Sequence, residues 1–272
     1  MAKLANPKPP RIQSLARASA IIDVIAVNGE EGVGLSEISR ETALNKTTAF
    51  NLIATLVTLG FLEQDSHTKR YRLGLRNLEL GRIVQQRLHI SHLARPVLAG
   101  LCKKTNETVN LGLPKLLDLL VIDSFQGSRQ LHATAYAGWR SMYHCTALGK
   151  AMISQWDEPM RRTVYRLHGL PRQTPNTITD IDTLEAKLVQ FLAQGYALDV
   201  EENELGVNGI ATSIFNGLGE VAAAISVCGP SNRLTEEVME QIATDVMDAA
   251  DSIAVAIGGQ ERADKTESRK LR

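Results

Sequence analysis

The stretch LSEISRETALNKTTAFNLIATLVTLGF, residues 35–61, constrains this chain more than any other. It reads as two short helices joined by a tight turn. Ser36 is placed to cap the first helix, which turns Ile38 inward and shows Glu37, Arg40 and Glu41 to water. The turn falls at Ala43, Leu44 and Asn45, and Asn45 is a natural cap for the second helix. That helix has two unlike faces. Ala49, Leu52, Ile53, Leu56 and Gly60 recur at helical spacing, whereas Thr47, Asn51, Thr55 and Thr58 line the opposite side. A short polar row headed by Lys46 suits an edge that meets base pairs in a major groove. An ordinary helical hairpin with a soluble outer face would carry the same row, so the residues that follow decide. They read FLEQDSHTKRYRLG: two extended segments around a polar turn at 65–68, with Lys69, Arg70 and Arg72 on the return. A hairpin directly after such a helix, with cations on its return strand, is a wing able to lie along phosphates. The two pieces together predict a winged helix-turn-helix.

Charge supports that division. Lys+Arg and Asp+Glu are both 30, yet residues 1–92 hold 12 basic against 8 acidic side chains and the remaining 180 hold 18 against 22. A basic front and an acidic back fit a nucleic-acid-binding head on a body that does not bind it. Hydrophobic content of 44% supplies a core for each part, built from aliphatic residues because aromatics are only 4%. Cys102, Cys145 and Cys228 are far apart and odd in number, so no disulfide framework is indicated. No apolar run reaches the ~18 residues a membrane span needs, and MAKLANPKPPRIQ lacks the apolar core of a signal peptide. The expectation is a cytoplasmic, reduced protein without a membrane partner.

Along the chain, residues 1–10 are rich in proline and lysine and read as a flexible arm, the alternative being a minor-groove arm. Residues 12–27 form a helix with Leu15, Ala18, Ile21, Ile22 and Ile25 on one face, ended by Asn28 and Gly29. The winged domain therefore takes residues 11–74. Residues 75–91 read as a linker helix whose Leu75, Leu78, Leu80, Ile83, Val84 and Leu88 pair either with a second subunit or with their own domain. His89 and His92 stand three apart, but no acidic or cysteine ligand lies near, so they read as a solvated pair and no metal is expected.

Residues 92–260 make the second domain. A helix over 93–104 is followed by strand-like TVNLGL, LLVIDSF and QLHATAY, then helices over 146–155, 158–167 and 181–192, the last closed by Gly195. Strands follow over 196–200, 208–215 and 220–227. Pro230 interrupts, and a helix over 235–257 buries Leu234, Val238, Ile242, Val246, Ala249 and Ile253. Strands and helices do not alternate regularly, so an α+β ligand-sensing domain fits better than a parallel-sheet enzyme. Residues 261–272 are charged and read as a disordered tail.

The head, together with ARPVLAGL, HCTALGKAM, TPNTIT, GYALDVEENELGVNGIA and AAISVCGP, closely resembles the IclR family of bacterial transcriptional regulators over nearly the whole chain in colinear order. The resemblance implies a winged helix-turn-helix head, a linker helix, a GAF-like effector-binding domain, and dimers or tetramers on a DNA operator. It also implies an effector site. In HCTALGKAM, Thr146 looks like a helix cap, which leaves the N–H groups of Ala147 and Leu148 as a seat for a carboxylate. Asp199 matches the family's acidic position. Ser226 and Cys228 alternate along a strand and share a face; without the resemblance they would read as a small buried pair. The family usually has Cys, Ser or Ala where this chain has Gly209, preceded by a residue that is often basic and here is Asn208. The space left at Gly209 favours an organic acid larger than a two- or three-carbon keto acid, such as an aromatic acid, with Tyr136, Trp139 or Tyr143 near the pocket mouth.

An enzymatic alternative would use Cys145 as nucleophile, His144 as base and Asp199 as orienting acid. Sequence neighbours on a strand point to opposite faces, which places Cys145 and His144 poorly for proton transfer. No GxSxG, phosphate-binding glycine loop or HExxH is present, so no catalytic residue and no cofactor is assigned. The expected function is a ligand-gated switch on a pseudo-palindromic operator. Lys46, Thr47, Thr48 and Asn51 would lie nearest the bases and phosphates, and Arg70 and Arg72, with Lys69, would hold the wing on the DNA backbone.

Overall fold

A computed structural model of the chain describes residues 11–28, 31–87 and 89–259, with the side chains of 84–88 outside the description. The expected arm over 1–10 and tail over 261–272 lie outside the described residues. Two units result, the first ending at Arg87.

In the first unit, helix α1 (Gln13–Val27) buries Ile21 and Ile25, and Asn28 follows it, donating from its amide to Val24 O at 2.7 Å. Leu15, expected inward, is 66% exposed, because the core of this unit begins at Ala18. Helix α2 (Leu35–Glu41) starts from Gly34, not from Ser36. Val33 is held to Tyr71 by two backbone hydrogen bonds of 2.9 Å, so helical geometry begins right after Gly34. Glu37 Oε2 then accepts from the Gly34 N–H at 2.9 Å, which satisfies a donor left over at the helix start. The turn is as expected: Ala43 takes a positive φ of 53° and Asn45 Oδ1 accepts from the Thr48 N–H at 2.8 Å. Helix α3 (Lys46–Thr58) buries Ala49, Ile53 and Leu56 and exposes Thr47, Asn51, Thr55 and Thr58.

Strands β1 (Leu62–Gln64) and β2 (Tyr71–Leu73) pair antiparallel and form the wing. Its turn is organised by Asp65, whose Oδ1 accepts from the N–H groups of His67 and Thr68 and from the Thr68 hydroxyl. Helix α4 (Leu75–Arg87) follows, its first turn tied to the wing by Asn77 Nδ2 donating to Phe61 O at 2.7 Å. Leu75, Leu78, Leu80 and Ile83 on it are exposed.

The second unit opens with helix α5 (His89–Thr105), one helix through Ile90 where the sequence suggested a fresh start at Leu93. Then come β3 (Thr108–Pro114), β4 (Leu119–Phe125), β5 (Arg140–Ser141), α6 (Ala147–Ile153), α7 (Glu158–His168), α8 (Ile181–Gln194), β6 (Ala197–Val200), β7 (Val207–Phe215), β8 (Val221–Pro230) and α9 (Glu236–Ala256). The six strands form one antiparallel sheet in the order β5-β4-β3-β8-β7-β6. Leu98 of α5 and Val246 and Ile253 of α9 cover one face, against Val109, Ile210 and Ile225. Leu148 and Met152 of α6, with Leu184 and Leu188 of α8, cover the other. Gly195 ends α8 with φ 87°, as its position after the last apolar residue implies.

The segment QLHATAY is not a strand. Both edges of β3 are taken, by β4 and β8, and the segment runs as irregular chain instead. Its carbonyls accept from side chains: Leu131 O from Arg233 and Ala133 O from the Thr108 hydroxyl.

Candidate functional site

Helix α3 presents Lys46, Thr47, Asn51, Thr55 and Thr58 to solvent, because the core takes the residues between them. The last two hydroxyls donate back to their own helix, to Asn51 O and Ala54 O. Their outward chemistry is therefore a methyl and an acceptor. Among the described residues, neither Thr47 nor the Asn51 amide has a side-chain hydrogen bond, which leaves the amide's donor and acceptor for a partner. Thr48 is half-buried and sits behind this row.

The wing cations differ from one another. Lys69 is exposed at the hairpin tip, in a positive-φ position of 59°. Arg70 turns back on its own domain, donating from Nε to Gly32 O and from Nη2 to Glu37 Oε2, both at 2.9 Å. Arg72 is half-buried along Gly32, and its Nε is buried without a protein partner. A cleft of about 430 Å³ lies between the start of α2, Phe50 of α3 and the wing, with Leu35, Ser36, Gln64, Thr68, Lys69 and Tyr71 among its walls.

In the second unit the sheet register brings the expected effector residues together. Asp199 pairs with Gly209, Gly209 with Cys228 and Cys228 with Thr108, so these four form one row across four strands. Two residues along, Ala211, Ser226, Asn110 and Ser124 form a second row on the same face. Asn110 Nδ2 donates to Cys228 Sγ at 3.2 Å and the Ser124 hydroxyl donates to Asn110 Oδ1 at 2.8 Å. The start of α6 lies on this face: a Cβ built on Gly209 would sit 3.5 Å from Ala147 Cβ. Thr146 caps α6 as expected, its hydroxyl oxygen accepting from the Gly149 N–H at 3.1 Å.

Behind the rows is a buried charged cluster. Lys150, fully buried on α6, donates to Glu202 Oε1, and Glu202 Oε2 has no protein partner. Asp199 Oδ1 accepts from the Glu202 N–H at 2.9 Å. Burial pushes the Asp199 carboxyl up to about 7, against the pull of the neighbouring Lys150 cation. Burial raises Glu202 as well.

Three comparisons with known proteins bear on this architecture. Residues 14–66 match the IclR helix-turn-helix domain and residues 83–255 match the bacterial transcriptional regulator IclR C-terminal domain. The HTH-type transcriptional regulator BhcR of Paracoccus denitrificans is 32% identical over 252 residues, covering 93% of this chain and 90% of BhcR. The chain belongs to the IclR family of bacterial transcriptional regulators. The crystal structure of the Thermotoga maritima IclR has a TM-score of 0.70 at 29% identity, over 90% of this chain and 99% of that one. An IclR homologue of Microbacterium hydrocarbonoxydans, crystallised with 4-hydroxybenzoate, has the same fold, with a TM-score of 0.76 at 24% identity over 90% and 98% of the chains.

In this IclR-family regulator the proposed catalytic trio is not assembled. His144 Nε2 faces Pro171 O at 3.0 Å, and the Cys145 thiol donates to Asn203 Oδ1 at 3.7 Å. Burial holds both Cys145 and Cys228 up to about 12, so neither is a thiolate at neutral pH, although part of the Cys228 surface stays accessible. Tyr143, expected near a pocket mouth, is core: its hydroxyl donates to Lys115 O and its ring stacks edge-on against Trp156 at 4.9 Å. Tyr136 and Trp139 are exposed and pack on each other at 5.2 Å. Sequence reasoning missed Thr108, Asn110 and Ser124. The available signal was TVNLGL itself, where polar Thr108 and Asn110 alternate within a strand bounded by apolar residues. Among the described residues no group of three or more His, Cys, Asp or Glu is placed to hold a metal ion, and no helix is long and apolar enough to cross a membrane.

Proposed function

We propose that this regulator is a cytoplasmic, ligand-gated DNA switch with four parts: a winged head over 11–74, a linker helix over 75–91, an effector domain over 92–260, and operator binding as a dimer or tetramer. Lys46, Thr47, Thr48 and Asn51 meet the duplex, with Lys69 on phosphate and Arg70 and Arg72 supporting the wing. Ala147, Leu148, Asp199, Gly209, Ser226 and Cys228 hold a small organic acid. The observation that carries this reading is the exposed polar row of α3 in one unit, with the Thr47 hydroxyl and the Asn51 amide unspent. The polar cross-strand rows beneath the α6 start in the other unit supply the sensing half. Exposed Leu75, Leu78, Leu80 and Ile83 on α4 supply an apolar face for a second copy. The homologue crystallised with 4-hydroxybenzoate supports an aromatic acid as the ligand class.

The ligand acts only by preferring one arrangement of the two heads, since equal affinity for both shifts nothing. The test is a thermal-shift screen of the full-length chain with small aliphatic and aromatic acids, followed by selection of bound duplexes from a random library with and without the hit. A hit that raises the melting temperature and changes the affinity for an enriched, two-fold-related sequence is expected. Enrichment of no sequence would overturn the operator reading, and a screen without a hit would overturn the effector reading.

A further inference from the structure

Phe50 is the exposed one among the chain's five phenylalanines. The residue is 51% exposed, although it lies in the middle of a helix whose other large apolar side chains are buried or half-buried. It shares the outward stripe of α3 with Lys46, four residues before it, and stands beside Thr47 and Asn51. It also forms one wall of the cleft between the start of α2 and the wing, whose other walls include Leu35, Ser36, Gln64, Thr68, Lys69 and Tyr71. Half of Phe50 stays open to solvent beside these mostly polar walls. The surface that the cations and Asn51 recognise has one apolar feature in its major groove, the 5-methyl group of thymine.

We infer that Phe50 is a specificity-determining residue, its ring covering the methyl group of one thymine contacted by each copy of α3. The inference rests on the DNA-reading role of α3 and adds a base identity to it. Lys46 and Lys69 hold phosphates on either side of the ring, and Asn51 reads a neighbouring base edge.

The test uses the full-length protein and the duplex it enriches from a random library. Each thymine is replaced in turn by deoxyuridine, which pairs identically and lacks only the methyl group. The wild-type chain is expected to lose about fourfold in affinity at one position per half-site, the value of burying one methyl-sized group. Phe50→Ala should abolish that difference at that position, Phe50→Leu should keep part of it, and Asn51→Ala should keep it while weakening binding. Melting temperature should not change in Phe50→Ala, since the ring lies outside the core. Equal binding of thymine and deoxyuridine at every position by the wild type would overturn the inference while leaving operator recognition intact. A thymine preference that survives in Phe50→Ala would also overturn it. A change of oligomeric state in Phe50→Ala with the preference retained would assign the ring to a contact between copies instead. Enrichment of no sequence would sink the DNA-reading role of α3 and this inference with it.

Discussion

Arg70 Nη2 donates to Glu37 Oε2 at 2.9 Å, and that same oxygen accepts from the Gly34 N–H at the start of α2. One carboxylate thus joins the wing to the first helix of the helix-turn-helix. The Gly34 N–H, with the Arg70 and Arg40 cations, holds the Glu37 carboxyl below its ordinary range. A lowered carboxyl contributes stability above its unfolded value and loses it as the pH falls through the lowered one, so the latch weakens only in acid.

The consequence is a division of labour between adjacent cations. Lys69→Ala should lower the slope of log affinity against log salt by about one for each bound copy, the signature of one lost phosphate contact per copy. Arg70→Ala should weaken binding by loosening the wing while leaving that slope unchanged. A salt series on a single duplex for both variants checks this. A flattened slope for Arg70→Ala would mean that its guanidinium leaves Glu37 for a phosphate on binding.

The contrast between these two residues shows what the sequence held. Helical spacing in 46–58 placed Asn51 outward and Ile53 inward, because a helix repeats every 3.6 residues and one side must meet a core. Local chemistry likewise fixed the Asn45, Thr146 and Gly195 caps. Arg70 was legible as a wing residue but not as a latch, since its partners lie 33 and 38 residues away. Period alone pointed to a strand at QLHATAY, yet an extended segment becomes a strand only where a free edge awaits it. Thr108 and Asn110 joined the effector rows through pairing with β8, a register that no local pattern states.

Asp199 offers a pH test. Its carboxyl rises from 3.8 to about 7 in the folded protein, mainly through burial and against the attraction of Lys150. Over that window the native state keeps a proton that the unfolded chain has lost, so folding stability falls as pH rises and levels off above about 7. Asp199→Asn should remove this slope. Its melting temperature relative to the parent should climb between these two values and stay constant beyond them. Parallel melting curves across the range would show that Asp199 is ionised in the folded chain.

Lys150 and Glu202 form a buried ion pair, and breaking such a pair from one side leaves the other charge without compensation. Lys150→Met should cost about 3–5 kcal/mol. The double variant Lys150→Met with Glu202→Gln should be more stable than the sum of the two single losses allows. A double-mutant cycle by urea unfolding measures the coupling. Additive losses would mean that water already screens the pair.

Gly209 tests the size of the ligand. A Cβ there would lie 3.5 Å from Ala147 Cβ and 3.6 Å from Cys228 Cβ, ordinary contact distances, so Gly209→Ala should fold normally. Removing glycine's freedom from the unfolded chain should leave stability unchanged or raise it by about 0.5–1 kcal/mol. The added methyl group would occupy space between the α6 start and Cys228, where the proposed carboxylate seat meets the sheet. Affinity for benzoate-type acids should therefore fall more than affinity for glyoxylate or pyruvate, as read by calorimetry on the full chain. Equal losses for large and small acids would place the ligand away from Gly209. An unchanged affinity for all of them would remove this glycine from the site, because a methyl group cannot enter a filled pocket without displacing part of what fills it.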